Sequence, residues 1–191
     1  ATNTLTVVAG AGIAAVTGSK DPVTLENTYP ITATPKTGYT FSTWTANPAA
    51  NATFGSATTA NTTVTVKNGS VTVTATGNEQ LYALTTANSY STGNPGYTSP
   101  TKSRNDIGVE TTAEVTATAA GADYIFTGWT LTNCERTDDG ADNAATITIR
   151  ANGNGDAMVT ANYTAKTLVR LYYSNTNNWS NINAYLWKDG S

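Results

Sequence analysis

The sequence predicts an all-β protein made of two tandem modules and a short third segment. Three observations predict it. Runs of alternating β-branched apolar and hydroxyl residues recur along the chain, glycine-containing turn signals separate them, and an aromatic motif returns 85 residues after its first appearance. No stretch shows sustained i, i+3, i+4, i+7 apolar spacing over helical length.

The runs, in chain order, are Thr63-Val64-Thr65-Val66, Val71-Thr72-Val73-Thr74, Glu114-Val115-Thr116-Ala117-Thr118 and Thr146-Ile147-Thr148-Ile149. A period of two puts Val and Ile on one face of a strand and Thr on the other, as half-buried strands require. Threonine is itself β-branched, so it suits the pleat while keeping the outer face wet. Turn signals stand at Asn68-Gly69, Asp139-Gly140, Asn152-Gly153 and Asn154-Gly155. The segment 67–70, flanked by two alternating runs, is expected to close a β-hairpin.

The internal repeat sets the organisation. Ile31-Thr32-Ala33-Thr34 leads to Tyr39-x-Phe41-x-x-Trp44, and Val115-Thr116-Ala117-Thr118 leads to Tyr124-x-Phe126-x-x-Trp129. Both halves continue through a polar stretch into TVTV or TITI, then a glycine turn, then Val-Thr-Ala. The expected modules are residues 1–78 and 79–165, each a small β-sandwich or β-grasp-like unit. The second carries a longer polar insertion at 89–106. Tyr39 and Phe41 share one strand face, and Trp44, three further on, needs a bulge or strand end to join them. The six rings are expected to be core, since an ~80-residue module needs such large apolar groups to fold, with a ligand-stacking platform as the other reading.

Leu-Thr-Val, a glycine turn, a strand, then T-A-T-P-x-x-G-Y-x-F-x-x-W and T-V-T-V resembles the divergent internalin B-repeat family. The match is clearest over Thr32-Ala33-Thr34-Pro35-Lys36-Thr37-Gly38-Tyr39-Thr40-Phe41-Ser42-Thr43-Trp44. The second copy departs from it, with Ala119 in place of the proline and Ala122-Asp123 before Tyr124. The resemblance implies a module of bacterial surface or secreted proteins, hence an extracellular or cell-wall-attached location, with a spacer or adhesive role.

From about residue 166 the composition changes. Leu168-Val169-Arg170-Leu171-Tyr172-Tyr173, an Asn-rich turn with Trp179-Ser180, and Ala184-Tyr185-Leu186-Trp187 read as strand, turn, strand. Segment 166–191 resembles the opening hairpin of the family 26 starch-binding modules, which implies sugar-stacking roles for Tyr185 and Trp187, with Tyr173 and Trp179 beside them. Flat aromatic faces suit sugar C–H surfaces. An isolated hairpin is marginal in water, so core packing in a larger β module remains the other reading.

Composition narrows the chemistry. The chain has 191 residues, 39% hydrophobic and 12% charged, with a net charge of −3 and a pI near 4.8. Ten Lys and Arg in so nearly neutral a chain lack the electrostatic footprint of a nucleic-acid binder. There is no histidine, which removes Ser-His-Asp and Cys-His nucleophiles, His-ligated zinc and imidazole acid–base catalysis. The one cysteine, Cys134, allows no internal disulfide and is expected to be a small buried hydrophobe. No apolar run approaches the ~20 residues of a membrane-spanning helix, and no signal peptide is recognised. The loop Asp138-Asp139-Gly140-Ala141-Asp142-Asn143 offers oxygens to Ca²⁺ through Asp138, Asp139 and Asp142. It lacks the alternating spacing and terminal Glu of the EF-hand, so a solvated turn is expected.

The expectation is therefore a non-enzymatic, cofactor-free spacer or stalk of a bacterial extracellular protein that adheres to or degrades polysaccharide. Carbohydrate binding by the chain itself stays open, as does an adhesin or filament subunit joined through strand edges. Expected partners are a starch-like glucan or a host or cell-surface partner, with no nucleic acid, no membrane span and a monomeric state.

Overall fold

The computed structural model describes residues 2–167. The first module comprises β1 (Asn3–Ala9), β2 (Ile13–Thr17), β3 (Lys20–Val23), β4 (Thr28–Pro35), β5 (Tyr39–Asn47), β6 (Ala52–Phe54), β7 (Asn61–Val66) and β8 (Val71–Glu79). The second comprises β9 (Tyr82–Tyr90), β10 (Thr101–Lys102), β11 (Asp106–Ile107), β12 (Thr112–Thr116), β13 (Tyr124–Thr132), β14 (Cys134–Arg136), β15 (Thr146–Ala151) and β16 (Ala157–Ala165). A single 3-10 turn, Ala49–Asn51, is the only helical piece among the described residues. The alternating runs fall in β7, β8, β12 and β15, and bury Val64, Val66, Val71, Val73, Val115, Ile147 and Ile149.

Each module is a sandwich of two four-stranded sheets. In the first, β3-β1-β8-β5 faces β2-β4-β7-β6; in the second, β11-β9-β16-β13 faces β10-β12-β15-β14. The two orders are the same with each strand number raised by eight, so the repeat extends from one aromatic motif to the whole topology. Leu5, Val73, Ala75 and Trp44 from one sheet meet Ile13, Ile31, Val64 and Val66 from the other in one apolar cluster. Leu84, Ala157 and Val159 meet Val115, Ile147 and Ile149 across the second module in the same way. With no helix lying across a sheet among the described residues, the architecture is the sandwich rather than the β-grasp.

The first and last strands of each module lie side by side and parallel. Residues 5–9 run beside 71–75, and residues 84–90 beside 157–163. Such a pair needs a long crossover, which the six intervening strands provide.

The turn at 67–70 does not close the expected hairpin. β7 and β8 belong to opposite sheets, so Asn68 and Gly69 (φ 137°) carry the chain across the sandwich. Both flanking runs aim their valines into one core, and they do so from opposite sides of it. The sequential antiparallel neighbours are instead β6–β7 and β14–β15. The segment 89–106 is likewise only partly loop: its first two residues end β9, and 101–102 and Asp106 pair as β10 and the start of β11.

Candidate functional site

The two modules meet at a packed junction, and sequence reasoning did not find it. Gly38 (φ 78°) has no room for a Cβ, which would run into the Val109 side chain. At Gly153 (φ 85°) a Cβ would stand 2.6 Å from Thr37 Cγ2 and 3.0 Å from the Gly38 nitrogen. The turns before β5 and β16 thus approach backbone to backbone, at positive φ, where only glycine fits without strain. Gln80 donates its N–H to the Gly38 carbonyl at 2.8 Å, tying the connecting peptide to the same turn.

Glu79, the last residue of β8, reaches into the second module. Its Oε1 accepts the Thr111 N–H at 2.9 Å and the Glu110 N–H, and its Oε2 accepts the Thr111 hydroxyl at 2.5 Å. Burial by itself raises the Glu79 pKa, but these donors, with Arg104 adding its charge, hold the carboxyl below its ordinary value. Opposite it, Tyr39 pairs with the Glu110 carboxylate. That hydrogen bond, then burial and the charges of Glu110 and Glu79, push the phenol up to about 12. The first ring of the first aromatic motif therefore serves the junction, lining a cleft with Lys36, Val109 and Glu110.

The remaining motif residues sit in two different settings. A register shift between Phe41 and Thr43 turns Trp44 inward, where it is 2% exposed and tilted against Phe41 at 5.7 Å. Its indole N–H donates to the Thr59 carbonyl at 3.0 Å. The same shift between Phe126 and Gly128 places Trp129 edge-on to Phe126 at 5.3 Å, donating to the Ala144 carbonyl at 2.9 Å. Trp129 and Phe126 stay half-buried. Tyr124 has left the junction role altogether. It joins Tyr90, Tyr97 and Tyr163 in a cluster with centroids 5.2–6.0 Å apart, and donates to the Thr92 carbonyl at 2.8 Å. Tyr163 is 1% exposed, donates to the Thr118 carbonyl at 2.6 Å, and has its phenol pKa raised chiefly by burial. Asn88 donates to the carbonyls of Tyr97 and Thr98, so residues 91–100 are held against the second sandwich. No local signal marks this cluster, because its members lie far apart in sequence.

The acidic loop is organised by Arg136. Asp138 accepts from its guanidinium, from the Thr148 N–H at 2.7 Å and from the Gly140 N–H at 3.1 Å. The Arg136 bond first, and these amides after it, hold the Asp138 carboxyl well below the usual carboxylate range. Asp142 Oδ1 stands 3.9 Å from Arg136 Nη1 with its side chain open to solvent, and Asp139 is exposed. Among the described residues no three His, Cys, Asp or Glu side chains are placed to hold a metal ion. Cys134 is a buried free thiol whose pKa burial raises. The sugar-stacking residues suggested for the tail, Tyr173, Trp179, Tyr185 and Trp187, lie outside the described residues.

Two sandwiches of one strand order, joined at a built junction, define a tandem β-repeat segment. Residues 3–79 match the family model of the divergent InlB B-repeat domain. Domains of that kind belong to bacterial surface proteins. The match ends with the first module; the second shares that module's strand order and its aromatic motif. No curated protein and no solved structure matches the chain. Among the described residues no helix is long and apolar enough to cross a membrane.

Proposed function

We propose that the chain is a non-catalytic spacer of a bacterial extracellular multidomain protein, its two sandwiches acting as one stiff unit. The observation that carries this reading is the junction: the facing glycines and the Glu79 carboxylate fix the second module on the first without a free linker between them. Intra-chain module interfaces that are small and polar allow relative motion by default. Here the charged group is satisfied by three donors from one turn, an arrangement that resists sliding. The family match of residues 3–79 supports the surface location. A role in a polysaccharide-handling protein draws its support from the sequence of residues 168–191.

Residual dipolar couplings of the full chain test the reading. A stiff spacer gives one alignment tensor for residues 3–79 and 82–165 together. Two tensors of different magnitude would mean that the modules tumble separately and would overturn it.

A further inference from the structure

Beyond the spacer role, we infer that the cleft beside Trp129 is a binding site for a single neutral sugar ring. The first module supplies the reference for what this position looks like when closed. There Thr43 precedes the tryptophan, with its hydroxyl on the Ala57 carbonyl at 3.2 Å. Phe54, opposite Val64 on β7, packs against the core, and four residues separate it from Thr59, whose carbonyl anchors Trp44. Trp44 is sealed.

Three changes remodel the same position in the second module. Gly128 (φ 130°) stands where Thr43 stood, so the hydroxyl that held the loop is gone and the Asp142 carbonyl lies over the glycine instead, 2.9 Å from where a Cβ would stand. Arg136, opposite Ile149 on β15, replaces Phe54. The following loop is three residues longer before its anchoring carbonyl, on Ala144, and carries the acidic residues. All three changes converge on a cleft of about 260 Å³ lined by Thr127, Gly128, Trp129, Leu131, Arg136, Asp142 and Asn162. Small-molecule pockets run to roughly 300–1,000 Å³, so the volume suits one ring.

The lining fits a sugar. A pyranose has an apolar C–H face and a rim of hydroxyls that both donate and accept. Trp129 and Leu131 supply the apolar wall, and an indole is a large rigid surface of low entropy cost. The Asp142 carboxylate makes no hydrogen bond among the described residues and is free to accept from hydroxyls. Asn162 uses one N–H on Thr130 Oγ1 at 2.9 Å, which leaves amide capacity toward the cleft. Arg136 commits donors to Asp138 and to the carbonyls of Gly140 and Ala141, so its orientation is preset.

Charge decides the class of sugar. Arg136 against Asp138 and Asp142 leaves the site one negative charge, which disfavours uronic and other acidic sugars. A cation meets the guanidinium in the wall. The neutral hexose remains.

The test is a titration of the full chain with methyl glycosides of glucose, galactose and mannose, followed by ¹H–¹⁵N correlation spectra. Methyl galacturonoside and methylammonium serve as controls. The expected result is fast-exchange shifts of the Trp129 indole N–H, Gly128 and Asn162 with a millimolar Kd for at least one neutral glycoside. The Trp44 indole should stay still. Asp142→Ala, a solvent-exposed change that leaves the fold intact, should weaken binding about tenfold. The proposal is overturned by the absence of shifts around Trp129, by shifts confined to residues 168–191, by indifference to Asp142→Ala, or by preference for either control.

Discussion

Trp44 and Trp129 hold equivalent places in equivalent folds, yet one is sealed and the other borders open polar space. Their shared features are those the fold demands: a bulge that turns the ring inward, an aromatic neighbour two bulged positions back, and an indole N–H bonded to a loop carbonyl. What differs lies around the ring, in Gly128 for Thr43, Arg136 for Phe54 and a longer loop. The comparison teaches that a repeat can conserve the device that closes its core while releasing the outer side of the same device for other contacts. The tyrosines divide similarly. Tyr39 faces a neighbouring module, whereas Tyr124 faces its own module's 91–100 loop.

The largest expected effect breaks the symmetry of the two rings. Trp44→Ala should destabilise the first module by about 3–5 kcal/mol, the range for emptying a buried aromatic site. Trp129→Ala, at a half-exposed position, should cost about half as much. Chemical denaturation read by module-specific resonances checks both, and equal losses would erase the distinction. Next is Glu79→Ala, expected to weaken docking of the modules by about 1–3 kcal/mol, because two amides and a hydroxyl lose a charged acceptor. The readout is separation of the two alignment tensors while each module keeps its own midpoint.

Acid should act on the same carboxylate. The docked Glu79 has a pKa below its ordinary 4.5. Its contribution is therefore whole above that value and is lost as pH falls through the docked pKa. Interdomain order should decline on acidification below pH ~4.5 in the native chain and show a flatter profile in Glu79→Gln. The smallest effect is Tyr163→Phe, which removes the hydroxyl bonded to Thr118 and should cost about 1 kcal/mol. It should loosen residues 91–100, visible as faster amide exchange there, with no counterpart in the first module.

The sequence reveals what is periodic or repeated. Alternation of apolar and hydroxyl residues, most of them β-branched, locates β7, β8, β12 and β15, and one aromatic motif discloses a repeat that includes all eight strands. Connectivity between sheets is another matter. Asn68-Gly69 reads as hairpin chemistry whether the chain returns to the same sheet or crosses to the opposite one, since turn residues report local φ and not the partner strand. The junction was equally silent. Glu79 and Thr111 are 32 residues apart, and nothing in the chain around either signals their contact. Gly38 stands inside the aromatic motif, but its docking role appears only once Val109 and Gly153 are seen against it. The replacement of Phe54 by Arg136 hid behind a shift in loop length, which only strand register resolves.

The junction also has a direction. Gly38 and Glu79 receive the second module, and their equivalents in that module are Asp123 and Ala165: Lys166 donates to the Asp123 carbonyl at 2.8 Å just as Gln80 donates to that of Gly38. A side chain at 123 and a methyl at 165 cannot reproduce the glycine approach or the carboxylate clamp, so the receiving surface occurs once in the pair.

The parallel pairing of β1 with β8, and of β9 with β16, bears on how the molecule carries load. Tension along the chain enters a module at the start of its first strand and leaves at the end of its last. Those points lie at opposite ends of one ladder of evenly spaced hydrogen bonds. A pull strains all the rungs together in shear and cannot peel them one by one, so each sandwich resists extension along the line in which a tethered protein would be drawn.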